Sequence, residues 1–428
     1  MILLLAACTS GPVAPDVARG DSAAPDSSPP ADTAEGIEVL PGLSDTAVPP
    51  EPPSAPGFAT LDCAAAIPGD GKTDCTLRIT DADAVVAWEG PAGVGLHGRS
   101  SLGFVKPQYA VELRDSAGAE AATDLFGLGK EADWLLNGMY VDRALLRNKL
   151  AYDLYRDLTA DREWAPESRY VELTLNGDYV GLYALCERVD RGSGRASVPA
   201  DDGSGAAFIV KGAEAGIPST VQYAWWEVLY PTAPSAAATA AITARLARME
   251  AAITARDPAL WDDLDQDSAV AFVLLEELTK NNDGFFLSHH LYTHTDGKLH
   301  FTAWDLDLSL GQPSYNDNEN PASWLAYRPD IVLGLAAIPG FSTRMTTMWA
   351  EWRAGDLSDD RLDARILGLV RAMGSAPARN FERWPIGDIQ FSGYLYTVSS
   401  YEEEIERVRA FSQARVRWMD ANVATWGG

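Results

Sequence analysis

The sequence predicts an α+β protein, with a β-rich N-terminal lobe over residues 57–190 and a mainly helical C-terminal lobe over 191–428. Three observations lead there. Short β-like runs broken by turn residues fill 57–115, an Asn-Gly pair joins two further runs near residue 176, and long Ala- and Leu-rich stretches with helical spacing dominate after residue 234.

Taken in order, Thr76-Leu77-Arg78-Ile79, Ala84-Val85-Val86-Ala87-Trp88 and Tyr109-Ala110-Val111-Glu112-Leu113 read as strands. Residues 142–158 read as a helix, because Leu145, Leu146, Leu150, Leu154 and Leu158 recur near helical spacing, with Asp142 as its N-cap. Tyr170–Leu175 and Tyr179–Leu185 are strands, and Asn176-Gly177 between them is the strongest short hairpin signal a sequence offers. Residues 190–235 are punctuated by Gly, Ser and Pro and show no assignable period. Residues 234–255 and 267–280 are helices, and Asp283 follows the second. A hairpin runs Leu291–His294, turns at Asp296-Gly297 and returns along Leu299–Thr302. Residues 335–425 are mainly helical, most clearly Glu402–Val423; no internal repeat and no membrane-spanning run occurs.

The net charge of -27 repels phosphate backbones and argues against nucleic-acid binding. A local basic cleft on such a protein can still bind an acidic ligand. The four cysteines lack C-x-x-C spacing, so no Cys-based zinc site is expected. Leu5-Ala6-Ala7-Cys8 has the form of a bacterial lipobox, although the positive residues that usually precede such a run are missing. Residues 1–8 thus read as a lipoprotein signal, with the lipid on Cys8, and residues 9–56, rich in Pro, Ala, Ser and Asp, as a disordered tether. The expectation is an extracytoplasmic domain held to a bacterial membrane by the lipid alone. In that setting Cys63 and Cys75, flanking a turn-like segment, form a disulfide, and Cys186 in its apolar run is a buried thiol. Nothing in the sequence sets an oligomeric state.

Three constellations carry chemistry. Gly98-Arg99-Ser100-Ser101, followed by Lys106, is a Gly/Ser turn whose N–H groups can approach phosphate oxygens, with a lysine to neutralise them. Asn281-Asn282-Asp283 places a carboxylate just past an apolar helix, where it can accept a proton from a hydroxyl. Trp304-Asp305-Leu306-Asp307 offers two carboxylates two residues apart at a strand end, pointing the same way toward a hard divalent cation. Each has a plainer reading: a common turn, a helix end, a surface acidic pair. Their order adds weight. Phosphate loop and Lys, then a helix, then an Asp, then an Asp motif is the order of parts in protein kinases, yet H-R-D and D-F-G are absent.

In these motifs the chain resembles the CotH family, named for a spore-coat protein kinase. The resemblance rests on Gly98-Arg99-Ser100-Ser101 with Phe104 and Lys106, Asp133-Trp134-Leu135-Leu136, and Asp142 with Leu146-Arg147-Asn148-Lys149-Leu150. It continues through Arg169–Leu173, Asn176–Tyr183, Glu187 with Asp190, Asn281, Asp283, Trp304-Asp305-x-Asp307, Asn380 and Arg383-Trp384-Pro385. The resemblance implies an atypical protein-kinase-like two-lobe fold that binds ATP with Mg²⁺ or Mn²⁺. It implies Asp283 as the catalytic Asp, with Lys106 on the phosphates, and Gly98, Ser100 and Ser101 as the phosphate loop. Asp305 would hold metal, and Asp307 would share it or support the turn. Arg147 and Asn148 would build the nucleotide cleft, and Glu187 would pair with Lys106 or lie near the nucleotide. Arg99 stands where many members have Asn, and His289 and His290 stand where a second metal ligand is expected. The implied activity is transfer of phosphate from ATP to Ser or Thr of exported or surface proteins. The alternatives are a non-catalytic surface binding or adhesion module and, with only five histidines for ligands, a metal-dependent hydrolase.

Overall fold

The computed structural model describes residues 55–428 apart from 193, 223, 282, 314–316, 327, 392–393 and 428. The Cys8 lipobox and the tether up to residue 54 lie outside the described residues. The described chain is a mixed α+β fold with eight α-helices.

The strands of the N-terminal part are β1 (Gly57–Cys63), β2 (Thr73–Thr80), β3 (Val86–His97), β4 (Gln108–Leu113), a short β5 (Thr123–Asp124) and β6 (Lys130–Glu131) pair, and β7 (Asp133–Asn137). Helix α1 (Arg147–Leu158) precedes β8 (Ser168–Leu175) and β9 (Asp178–Cys186). Seven of these strands close a barrel in the order β1-β2-β3-β4-β7-β9-β8. The closing contact is parallel, Gly57 to Leu61 against Val171 to Leu175. Alternate residues point inward, as the two-residue period of a strand requires, so Leu61, Leu77, Val94, Val111, Trp134 and Leu173 share one core. The β-rich region anticipated from local patterns is therefore a closed barrel. Closure depends on a long-range pairing that no local pattern announces.

The β8–β9 turn has Asn176 at φ 51° and Gly177 at φ 86°, both left-handed, as a two-residue type I′ hairpin demands. The helix expected from residue 142 begins five residues later. Leu145 has φ 60°, which breaks a helix, and Asp142 instead uses its carboxylate to accept the N–H groups of Ala144 (3.0 Å) and Arg147 (2.7 Å).

A second sheet is formed by β10 (Ile209–Ala213), β11 (Ile217–Pro218), β12 (Trp225–Tyr230), β13 (His289–Thr293) and β14 (Leu299–Ala303), in the order β11-β12-β10-β13-β14. Its first three strands lie in the stretch that showed no period. Between β12 and β13 come α2 (Ala236–Ala255) and α3 (Gln266–Thr279); Ser268–Thr279 of α3 is wholly buried in the main core. Helices α4 (Asp330–Ala336), α5 (Phe341–Ala354), α6 (Asp359–Met373), α7 (Ala376–Arg383) and α8 (Tyr401–Asn422) complete the fold, with a β15 (Ile389–Phe391) and β16 (Tyr394–Tyr396) pair before α8.

Cys63 and Cys75 are bonded where β1 and β2 begin to diverge, and Cys186 is a buried free thiol. Burial pushes the Cys186 thiol up to about 12, so it is protonated and unreactive. The disulfide closes a short loop, and such a constraint is worth about 3 kcal/mol. Reducing it, or replacing both cysteines by Ala, is expected to lower the thermal midpoint by several degrees in a calorimetric scan. An unchanged midpoint would show that the barrel edge does not need it.

Candidate functional site

The site is built around the end of α3 and the turn after β14. Helix α3 stops because Lys280 adopts φ 51°, and its ammonium then donates to the carbonyls of Asp317 (3.1 Å) and Asn320 (2.8 Å) and to Ser323 (2.8 Å). The following turn winds on itself: the Asp283 carbonyl accepts N–H groups from Phe286, Leu287 and Ser288 at 2.9, 3.1 and 3.2 Å. Gly284 lets the turn pack closely on Glu276: a Cβ there would fall 1.9 Å from its carboxylate oxygen, so any larger residue would displace that side chain.

The Asp305 turn is shaped by α1. Asn148 and Tyr152, one helical turn apart, reach the same piece of backbone. Tyr152 Oη accepts the N–H of Asp305 at 3.0 Å, and Asn148 Oδ1 accepts that of Leu306 at 2.6 Å. Asp305 is thereby held at φ 63°, a left-handed conformation that costs energy for a residue with a Cβ. The expectation of two carboxylates aligned along an extended strand is thus corrected: the chain leaves β14 and turns at Asp305, and the charge of Asp305 still acts on Asp307.

Asp283 and Asp307 are half-buried and Asp305 is exposed, so the cluster is open to solvent. Surrounding protein and the charge of Asp283 push the Asp305 carboxyl up to about 6, against a hydrogen bond from Ser288 that pulls it down. Asp307 is raised by burial and then by Asp305, Asp142 and Asp283, with Arg147 opposing. Three carboxylates therefore share one field. Glu276, fully buried beneath them, is pushed well up by burial, with Asn281 opposing, and then by Glu277 and Asp283. Among the described residues, His and carboxylate groups whose ligand atoms all lie within 4.8 Å of one another occur elsewhere, not at these three acids. Mg²⁺ is usually held by one or two carboxylates, with water and phosphate oxygens completing its shell, so the donor set of Asp305 and Asp307 fits it without a closed cage.

Other residues singled out by sequence have different surroundings. Arg147 is fully buried; its guanidinium meets Asp142 (2.7 Å), Glu404 (2.6 Å) and the carbonyl of Ser309 (2.8 Å). Lys106 is 1% exposed and donates to Leu182 O (2.6 Å) and Asn380 Oδ1 (2.7 Å), over the face of Tyr183. Burial, then Arg143, lowers its pKa well below the lysine range. Glu187 accepts the N–H of Glu167 at 2.7 Å and is pushed up to about 7 by burial; no ion pair joins it to Lys106. His289 and His290 are buried on β13. His289 bonds Gln222 at 2.8 Å and burial lowers it to about 4, while burial takes His290 well below its usual value, so both are neutral at pH 7.

The Gly98 loop is exposed at Gly98, Arg99 and Ser100, and Leu102 and Val105 project from it at 48% and 65% exposure. Gly98 has φ 108°, and a Cβ there would collide with Ser101 Oγ. Arg99 pairs with Glu214, just past β10. Lys211 of β10 lies opposite His290 in the ladder, and Gly212 abuts Phe286 and His289. Burial, with Arg188 and Lys211 nearby, lowers His97 to about 4. A run of contacts thus connects the Gly/Ser loop to the turn that carries Asp283.

A family model described as CotH kinase protein matches residues 94–419. The chain belongs to the CotH kinase family. No curated protein matches it. The CotH match begins in β3 and ends in α8, so it holds every residue named in this site and leaves out β1, β2 and their disulfide. Membership gives the chain a CotH-like, kinase-related function. Sequence reasoning missed Tyr152, Ser288 and Glu276. Tyr152 had one available signal, its position four residues after Asn148 on the helix that supports the Asp305 turn.

Proposed function

We propose that this CotH-family chain is an ATP-dependent phosphotransferase, in an atypical two-lobe kinase arrangement, acting on Ser or Thr hydroxyls of exported or surface proteins. The supporting observation is the solvent-open meeting of Asp283 with Asp305 and Asp307, on a turn braced by α1 and linked to the Gly98 loop. Asp283 accepts the proton of the attacking hydroxyl as its oxygen bonds to the γ-phosphorus and the bond to the ADP oxygen breaks. Gly98, Ser100 and Ser101 offer N–H and hydroxyl donors to phosphate oxygens. Asp305, with Asp307, would hold Mg²⁺ or Mn²⁺, which would neutralise phosphate charge. The lipid on Cys8 keeps the domain at a bacterial membrane outside the cytoplasm, which is why its substrates are exported or surface proteins.

Incubation of the full chain with labelled ATP and Mg²⁺ or Mn²⁺ is expected to label the protein, and Asp283→Ala is expected to abolish the label. Equal labelling of wild type and Asp283→Ala would sink the proposal. A second reading, a non-catalytic surface-binding module on the same scaffold, is favoured by Lys106, whose ammonium already has two protein acceptors. Calorimetry with ATP and metal separates the two: tight, metal-dependent binding counts against the second reading, and none counts against the first.

A further inference from the structure

We infer that the tip of the β13–β14 hairpin is a binding site for a borderline divalent cation of the Zn²⁺ type, formed by His294, Asp296 and His300. Its innermost ligand, His300, lies three residues before the end of β14 at Ala303, about 10 Å of strand at about 3.3 Å per residue, and His294 and Asp296 lie farther out on the hairpin, so the site is separate from the Asp305 cluster. The three ligand atoms all lie within 4.8 Å of one another. The Asp296 carboxylate sits between the two rings, 3.2 Å from His294 Nδ1 on one oxygen and 3.1 Å from His300 Nε2 on the other. Those separations approach the edge of a tetrahedron with bonds of about 2.0–2.1 Å, which is roughly 3.3–3.4 Å. The rings are 4.5 Å apart between centroids.

The support behind His300 makes this more than a chance cluster. Its other nitrogen, Nδ1, lies 3.0 and 3.1 Å from the two oxygens of Glu163, which is 4% exposed. Glu163 is in turn fixed by the Ser268 hydroxyl at 2.7 Å, and that hydroxyl accepts the Phe301 N–H at 2.9 Å. A buried carboxylate that takes the Nδ1 proton fixes the tautomer, so Nε2 presents its lone pair outward; ligating histidines are oriented in this way. Glu163, Asp265 and His300 form a second close group, but Asp265 is occupied in capping α3 through the Ser268 N–H at 2.9 Å, so it supports the site from behind. Two nitrogens and a carboxylate suit Zn²⁺ far better than Mg²⁺. The outer ligands are partly open, with His294 at 24% and Asp296 at 42%, which leaves room for water as a fourth ligand.

The arrangement also suits a protonated His300 held between Glu163 and Asp296, and the experiment separates the two. Full-length protein is stripped with EDTA and titrated with Zn²⁺ in excess Mg²⁺, following stoichiometry and, with Co²⁺, visible d–d absorption. One Zn²⁺ per chain is expected in both wild type and Asp305→Asn. His294→Ala and Asp296→Asn, both at partly exposed positions, are expected to lose it. Glu163→Gln is expected to weaken it about 10–100-fold. Zn²⁺ uptake by His294→Ala and Asp296→Asn equal to wild type would overturn the inference, as would no uptake by wild type. Phosphotransfer is not the readout, so failure here leaves the proposed kinase activity standing.

Discussion

Asp305→Asn is expected to lower phosphotransfer by about 10³-fold or more, the equivalent of losing several kcal/mol of charge stabilisation, while making the metal-free protein more stable. Asn is the informative replacement because it tolerates the left-handed conformation at residue 305 and keeps the backbone N–H that Tyr152 accepts. Only the charge and one acceptor are lost. The sign of the stability effect follows from the shift. The carboxyl is pushed up to about 6 by surrounding protein and by Asp283, so the folded state holds its proton after the unfolded state has released it. Stability of the wild type therefore falls as pH rises from about 4 to about 6 and stays reduced above that. Because Asp305 is exposed, water screens the repulsion, and the gain from Asn at pH 7 is about 1 kcal/mol. His289, lowered to about 4 by burial, titrates with the opposite sign, losing stability as pH falls from about 6.5 toward 4. It does so in both proteins, so the difference between them reports Asp305 together with the relief of Asp307, which the charge of Asp305 raises. Thermal scans in EDTA from pH 4 to 8, repeated with Mn²⁺, check this. A variant that keeps its metal response, or that is less stable than wild type at pH 7 in EDTA, would remove Asp305 from the metal-binding role.

What the sequence made legible, and what it hid, divides by range. The β8–β9 hairpin was readable because Asn176-Gly177 determines its turn within two residues. Helices α2, α3 and α8 were readable because each keeps one pattern over many residues. Helix α1 was readable except at its start, where Asp142 caps from outside a turn centred on Leu145. The barrel's closure was not, because β1 meets β8 more than a hundred residues away. Strand β10 was hidden because one of its partners is β13, far along the chain, and Gly212 interrupts its short apolar run; β12 was hidden because it pairs only with β10 and β11, themselves unassigned. The acids of the site were visible as a list and an order. The device that gathers them was not: two side chains of α1 hold the backbone of Asp305 and Leu306 in a turn. Glu276 escaped notice because it sits inside a helix whose other residues are mostly apolar, and nothing local marks one of its acids as facing the site.

Arg147→Met is expected to cost about 3–5 kcal/mol, the largest stability loss of any single change to the site. The guanidinium is fully buried between Asp142 and Glu404, at 2% and 0% side-chain exposure, and removing it leaves Asp142 in the core without its cation and Glu404 with Arg407 alone as its cation. The carbonyl of Ser309 loses its donor as well. Glu404 retains Tyr396 and Arg407, but Asp142 keeps only backbone N–H groups, from Ala144 and Arg147. The effect also reaches the acids of the cleft. Arg147 is the cation that opposes the upward push on Asp307, so its removal moves that carboxyl further toward the protonated form and weakens metal binding. Lysine is a poor substitute, because one ammonium cannot span two carboxylates and a carbonyl as the planar guanidinium does. Adding Glu404→Gln to Arg147→Met is expected to recover part of the loss, since one of the stranded charges is then gone. Denaturant titration of the single and double variants, with Mn²⁺ titration of each, measures both effects. A single variant within 1 kcal/mol of wild type would show that this buried network does not brace the site, and the metal response of Asp307 would then have to come from its own turn.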